Sequence, residues 1–358
     1  MNYMEIVVII FNILICIPTL ASVTKLDYWW VRGFDFPRIQ ISALIVINII
    51  LALFAYSFTK WWHPILLILL FLNLVYQCWL ILPYTIFWKK QVIKYSGEEN
   101  DNQISILVSN VLTTNRDYNK LINLIKSRNP DVFLTLESDK KWEKALSIFD
   151  EEYPHSVKIP LDNLYGMHLY SKLVLKDIEV KYLIKDDIPS IHGKIELSNG
   201  KEANIHCLHP RPPSPTESKT STNRDAELLL MGKEIDKDAE LTLVFGDLND
   251  VAWSRTTKLF QKISGLMDPR RGRGFFNTYN ADYLLLRWPL DHIFHTSDFT
   301  LVEMAREKNI GSDHFPMYAK LNYTPRAEWK QQDLKSSKDE EDWASEKIEK
   351  GKKKNKKS

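Results

Sequence analysis

Cysteine is scarce in this chain of 358 residues: Cys16 and Cys78 lie in apolar runs and Cys207 stands alone in the polar part. No disulfide framework can be drawn from that set. Charge is missing altogether from three long segments, 6–21, 41–58 and 65–82. Apolar runs of that length suit membrane-spanning helices, and with no ionisable residue inside them they mark no ion or proton path. The first run also lacks a basic leader and a small-x-small site, which argues against a cleaved signal peptide. A strong positive excess is absent as well. Residues 101–324 hold 29 Lys plus Arg against 32 Asp plus Glu, a net of −3, so that region as a whole exerts no strong pull on duplex DNA.

What is present divides the chain into four parts. Residues 1–95 read as a membrane anchor with helices over about 6–22, 41–59 and 64–83, flanked by Trp29, Trp30, Trp61, Trp62 and Trp88, whose amphipathic rings suit the headgroup layer. Lys25, Arg32 and Arg38 in the first loop and Lys89, Lys90 and Lys94 after the third run face only Lys60 on the other side. By the positive-inside rule the large domain is expected in the cytoplasm, on a multi-pass protein of the inner membrane. Residues 96–102 read as a polar linker and 325–358 as a charged, disordered or partly helical tail.

Between them, 103–324 alternates short apolar strands with amphipathic helices. Strands are expected at 104–109, 132–136, 194–197, 203–208, 241–245, 292–295 and 317–321, and helices at 119–127 and 224–235. About nine or ten strands with few long helices point to two packed sheets covered by helices.

Polar residues cluster where these strands end. Gly311-Ser312-Asp313-His314 sets a carboxylate beside an imidazole, a pairing suited to metal-assisted hydrolysis. Asn110 closes the first strand and Glu137 the second, where an oxygen ligand for a hard cation belongs. His209 precedes a proline-stiffened loop, whereas His206 lies within its strand and reads as a packed histidine. In Gly246-Asp247-Leu248-Asn249 the two polar side chains stand two residues apart, so both can face one reacting phosphate. Asp291 opens a further strand, placed to orient a histidine from elsewhere. Arg211, Arg224 and the loop Arg270-Arg271-Gly272-Arg273, with Phe275, Phe276 and Tyr279 behind it, are candidates for gripping phosphate.

Taken in order, Asn110, Glu137, Gly246-Asp-Leu-Asn249, Leu290-Asp-His-Ile293 and Gly311-Ser-Asp-His-Phe-Pro316 resemble the endonuclease/exonuclease/phosphatase superfamily, over roughly 103–324. The resemblance implies a DNase I-like, four-layered α/β sandwich of two mixed sheets flanked by helices, here preceded by three transmembrane helices. It also implies a phosphoric ester hydrolase dependent on a divalent cation, magnesium or manganese in its place. Carried over residue by residue, Glu137, Asn110 and Asp313 would serve the metal. Asp291 would support His314, Asp247 and Asn249 would orient and deprotonate water, and His209 would steady the phosphate or leaving oxygen. Either Asp247 or His314 could be the base. Many family nucleases carry an acid two positions after the strand-end Asn, where this chain has Leu112. Two-metal chemistry is therefore not inferred, and Asn115 compensates only if its loop folds back.

The pattern is similar to bacterial membrane-anchored members, and the expected substrate is a phosphodiester, nucleic acid or nucleotide first and a lipid headgroup or inositol phosphate second. The bilayer is the other expected partner, and no obligate protein partner is inferred. A catalytically inactive membrane scaffold is the rival class, disfavoured because every main site residue is in place.

Overall fold

A computed structural model describes residues 3–57, 59–235, 240–325 and 327–355. Three helices long and apolar enough to cross a membrane come first: α1 (Tyr3–Val23), α3 (Arg38–Ala55) and α4 (Trp62–Ile81), with the short α2 (Trp29–Arg32) in the first loop. Their contacts with each other are partly polar. Asn48 donates to Asn12, Gln77 Nε2 to Thr19 Oγ1 at 2.6 Å and Asn73 Nδ2 to the Ile15 carbonyl at 3.2 Å. Such side chains hold helices together where lipid tails are as apolar as leucine and hydrophobicity gives no drive to associate.

The strands form two sheets. In chain order they are β1 (Gln103–Asn110), β2 (Val132–Leu136), β3 (His155–Ile159), β4 (Met167–Ser171), β5 (Leu175–Lys181), β6 (Ser190–Glu196), β7 (Glu202–Leu208), β8 (Thr242–Asp247), β9 (Asp291–His295), β10 (Phe299–Arg306) and β11 (Met317–Tyr323). One sheet runs β10-β11-β1-β2-β4-β3 and the other β5-β6-β7-β8-β9. Both are mixed: β1 and β2 pair in parallel, as do β7 and β8, and the other neighbours are antiparallel. Residues such as Ile106, Leu134, Ile205 and Phe245 fill the space between the sheets. The outer faces bury Leu107 and Phe133 under α5 (Tyr118–Arg128) and α6 (Lys140–Leu146), and Val244 and Phe294 under α7 (Thr222–Glu234) and α8 (Arg255–Ser264). Helix, sheet, sheet, helix is the expected four-layered sandwich. Buried on both faces, β1, β2 and β8 read as near-continuous apolar runs, which made them plain in the sequence. The polar and partly exposed β3 and β5 did not stand out.

One segment differs from expectation, and a second, helical as one alternative had it, is docked where no docking was foreseen. Residues 91–95, expected in the anchor, instead cover the β10 edge: Tyr95 donates to the Leu301 carbonyl at 2.8 Å and Leu301 to that of Ile93 at 2.9 Å, with Val92 buried in the central core. An open strand edge needs such cover. The segment expected as a disordered or partly helical tail carries helix α9 (Lys338–Asn355), docked on α7 and α8 through Ala344 and Ile348. Gly351 is what lets it approach, since a Cβ there would lie 2.4 Å from Ala226 Cβ.

Candidate active site

Register brings the polar strand ends together. Asn110 pairs with Leu136, Leu208 with Gly246 and Asp247 with Asp291, so Asn110, Glu137, His209, Asp247 and Asp291 gather at one end of the sandwich. Gly246 is required there: a Cβ would meet the Leu208 carbonyl oxygen at 2.1 Å, and its φ is +146°. Just beyond their strands Glu137 and Asn249 take left-handed backbone, φ 58° and 51°. That conformation costs a residue with a Cβ about 1–3 kcal/mol and collects at functional sites.

Asn110 Nδ2 donates to Glu137 Oε1 at 2.9 Å and lies 3.3 Å from Asp247 Oδ2. Ser312 Oγ donates to the Asn110 carbonyl at 2.8 Å and receives the His314 amide at 3.1 Å, tying the Gly311–His314 turn to β1. His314 Nδ1 then meets Asp291 Oδ2 at 2.8 Å, and its Nε2 stands 3.6 Å from Asp247 Oδ2. On the other side His209 Nε2 is 3.8 Å from the same oxygen. Asp247 Oδ1 accepts the Asn249 amide at 2.8 Å, while Asn249 Nδ2 donates to the Pro210 carbonyl at 3.0 Å. Asn249 is thus spent in part on holding the His209 loop.

The two histidines are driven apart. Burial opposes charge on His314, but Asp291 and Asp247 overcome it and raise its pKa to about 10. Burial, helped by the positive His314, lowers His209 to about 3. At neutral pH one is an imidazolium and the other a neutral ring. Burial also lifts Asp247 well above the carboxylate range, with Asp291 adding to the rise and His314 opposing it.

Two oxygens indicate where a cation fits. Glu137 Oε2 and Asp291 Oδ1 are buried with no hydrogen-bond partner among the described residues, an expense that a ligand would offset. Ligand atoms of Asp247, Asp291 and His314 lie within 4.8 Å of one another. Within the trio His314 Nδ1 is already committed to Asp291 by a hydrogen bond, and its Nε2 stands beyond hydrogen-bond distance of Asp247, so the three form a charged cluster joined by one hydrogen bond. Glu137, with a free carboxylate oxygen beside Asn110, fits a hard cation better. Asp313, half-buried, is close enough for its charge to act on both Glu137 and His314.

The arginines depart from expectation. Arg224 is buried in α7, bonded to Asp225 at 2.9 Å, Asp250 at 3.2 Å and the Asn249 carbonyl at 2.8 Å, so it braces the site from behind. Arg271 is buried over the Tyr84 ring, and Arg273 is spent on the Pro269 and Val92 carbonyls. Arg270 is fully buried between Asp268, the Asp291 carbonyl and His292. All four are committed to partners within the protein: Arg224 and Arg270 back the site through the Asn249 and Asp291 carbonyls, and Arg271 and Arg273 join the domain to the segment that follows α4. Arg211 is nearer, stacked over Tyr165, itself 5.3 Å from the His209 ring, but its guanidinium holds Asp187 at 2.6 Å. Asn115 bonds the Val111 and Ile310 carbonyls and does not fold back to replace an acid at 112.

Thr278 escaped the sequence reading, and Tyr279 entered it only as an aromatic behind the basic loop. Thr278 Oγ1 receives the Leu290 and Asp291 amides at 3.2 Å, and the Thr278 carbonyl accepts from Phe315 at 2.8 Å, fixing the two site strands against each other. Tyr279 lies 4.9 Å from the His314 ring. Both sit in a loop without secondary-structure signal, and only the aromatic cluster around Tyr279 hinted at them.

The sequence model of the Endonuclease/Exonuclease/phosphatase family matches residues 107–314. No curated protein matches. Among solved structures, D. rerio TDP2 complexed with single-strand DNA product is 16% identical, covering 62% of this chain and 99% of that one, with a TM-score of 0.50. The human Nocturnin catalytic domain with bound sulfate is 14% identical over 68% and 99%, TM-score 0.52. An endonuclease/exonuclease/phosphatase from Beutenbergia cavernae is 15% identical over 62% and 72%, TM-score 0.50. At such identities the likeness establishes the fold.

Proposed function

Because the chain belongs to the endonuclease/exonuclease/phosphatase family of metal-dependent phosphoester hydrolases, we propose that it is a membrane-anchored phosphodiesterase acting by metal-assisted attack of water. The observation that carries this reading is the charged cluster of Asp291, His314 and Asp247 beside the free carboxylate oxygen of Glu137. Glu137, with Asn110 and Asp313, would hold a divalent cation, magnesium in the first place, which polarises a phosphoryl oxygen when bound. His314, charged at neutral pH, is an electrostatic partner for the phosphate and not the base. Asp247, with its pKa raised toward neutrality, takes the proton from water that Asn249 helps to orient. His209, neutral, donates a hydrogen bond to the departing or non-bridging oxygen. Three helices long and apolar enough to cross a membrane support a bilayer setting for this chemistry, and in this reading the basic residues of the first loop and after α4 put the domain on the cytoplasmic side of the inner membrane.

One observation favours the lipid substrate over nucleic acid or nucleotide. The loop 283–286 is apolar and exposed, Leu284 at 76% and Leu285 at 77%. Its Leu285 carbonyl accepts from Gln40 in the first turn of α3 at 2.5 Å, and its stem returns to the site where Ala281 donates to the Asp313 carbonyl at 2.6 Å. Leucines so placed suit the acyl boundary of the bilayer that α3 enters.

Full-length protein in nanodiscs with magnesium should cleave a soluble chromogenic phosphodiester, and EDTA should stop it. Glu137→Ala and His314→Ala should each abolish turnover; undiminished activity in both would overturn the assignment. A Leu284→Glu, Leu285→Glu variant should keep the soluble activity and lose hydrolysis of bilayer phospholipid. Cleavage of nucleic acid alone would restore the nuclease reading.

A further inference from the structure

Away from the strand ends, a cavity of about 390 Å³ lies where the spans meet the domain, between the first loop, the ends of α3 and α4, α8 and the first turns of α9. Its charge is unbalanced: Lys25, Arg38, Arg255, Lys258 and Lys262 line it, against Asp35, Asp339 and Glu340. Those acids are partly spoken for. Asp35 is shared between Arg32 and Arg38, and Glu340 holds Lys262 at 2.6 Å. Arg255 is satisfied by the carbonyls of Val23 at 2.9 Å and Thr24 at 3.3 Å.

Two donors are left over. Arg38 is 2% exposed and its Nε has no hydrogen-bond partner. Lys258 is half-buried, and among the described residues no carboxylate lies within ion-pair distance of its ammonium. Burial, with Arg271, Arg38 and Lys262 adding repulsion, lowers its pKa to about 7, a cost that a bound anion would remove. The rest of the wall is apolar and aromatic, with Tyr76 and Leu80 from the last turns of α4 and Trp343 from α9. An anion-seeking base below an apolar wall, level with the ends of membrane helices, matches a headgroup that carries acyl chains. Free phosphate would use the cations and leave the wall without a contact.

We propose that this cavity is a binding site for an anionic phospholipid, whose phosphodiester is held by Lys258 and Arg38 and whose chains run along α4. It is separate from the candidate active site and stands whether or not the proposed hydrolysis is correct. Lipid there would brace the joint between anchor, domain and α9.

The test uses full-length protein in non-ionic detergent, titrated with phosphatidylglycerol, phosphatidylcholine or inorganic phosphate, read by thermal unfolding and by native mass spectrometry of retained lipid. Phosphatidylglycerol should raise the Tm and remain bound, whereas the other two should do neither at equal concentration. Lys258→Met should raise the phosphatidylglycerol midpoint roughly tenfold, the loss of one charge-assisted contact. Lys258→Arg should restore it, and Lys353→Met, which removes an exposed lysine outside the cavity, should leave it unchanged. Hydrolysis of the soluble phosphodiester should be the same in all three variants, and the unliganded Tm shows whether each is folded. Equal response to phosphatidylcholine, or an unchanged midpoint in Lys258→Met, overturns the site. Inorganic phosphate reproducing the full effect overturns the lipid as its ligand.

Discussion

Asp291 spends one carboxylate oxygen on His314 and leaves the other buried without a partner, so its charge is felt undiluted by the imidazole. The sign of the resulting pH dependence follows. Activity that needs imidazolium persists until pH rises through about 10, and activity that needs ionised Asp247 is lost as pH falls through its raised pKa. A bell-shaped profile is expected, and Asp291→Asn should move its alkaline limb toward lower pH. An alkaline limb that stays in place would assign that limb to another group. Asp247→Asn should lower kcat by roughly 10²–10⁴, the usual worth of a general base. Behind the site, Arg270→Ala would leave Asp268 buried without its cation. Loss of one member of a buried pair costs about 3–5 kcal/mol, which chemical denaturation would register.

Strands β6 and β7 carry a second titrating feature. His192 Nδ1 lies 2.8 Å from His206 Nδ1, and burial lowers their pKa values to about 3 and about 4. Unfolded imidazoles take up protons near pH 6.5. The stabilisation from keeping this pair neutral is therefore complete above about pH 6.5 and lost as pH falls toward 4. His206→Gln should flatten the fall in Tm across that window, and an unchanged slope would place the acid sensitivity elsewhere. Helix α9 gives a packing test, because Gly351→Leu would force side-chain atoms into Ala226. A cost of about 1–3 kcal/mol is expected from such overpacking, with faster proteolysis of the helix.

At this scale it is also clear what the sequence could convey. Asn110, Glu137, Asp247 and Asp291 were legible because each ends or opens a strand whose apolar run is local. The arginines at 224, 270, 271 and 273 misled because a cation looks alike whether it faces solvent or a buried acid, and their partners come from distant segments. The docking of α9 was hidden for a related reason: the helix is highly charged, and the surface it needs belongs to α7 and α8.

For the molecule as a whole, the first loop of the apolar helices and the domain share a seam. Trp29 donates to the Lys219 carbonyl at 3.0 Å, Ser221 to that of Asp27 at 2.7 Å, and Trp253 Nε1 to that of Asp35 at 2.7 Å. Chain beginning at residue 96 should accordingly unfold at lower temperature than the full length, by circular dichroism in matched detergent. Equal melting would mean that the seam contributes nothing. Full-length protein should stay with membranes through an alkaline carbonate wash. The seam closes late. Asp27 is buried, and the ammonium groups that answer it, Lys347 and Lys350, follow it by 320 and 323 residues. During synthesis the spans and every strand of the sandwich emerge before that cation exists. A chain cut short upstream of α9 would carry the buried Asp27 carboxylate without either cation, so the arrival of α9 is itself a step in assembly that such a product would fail.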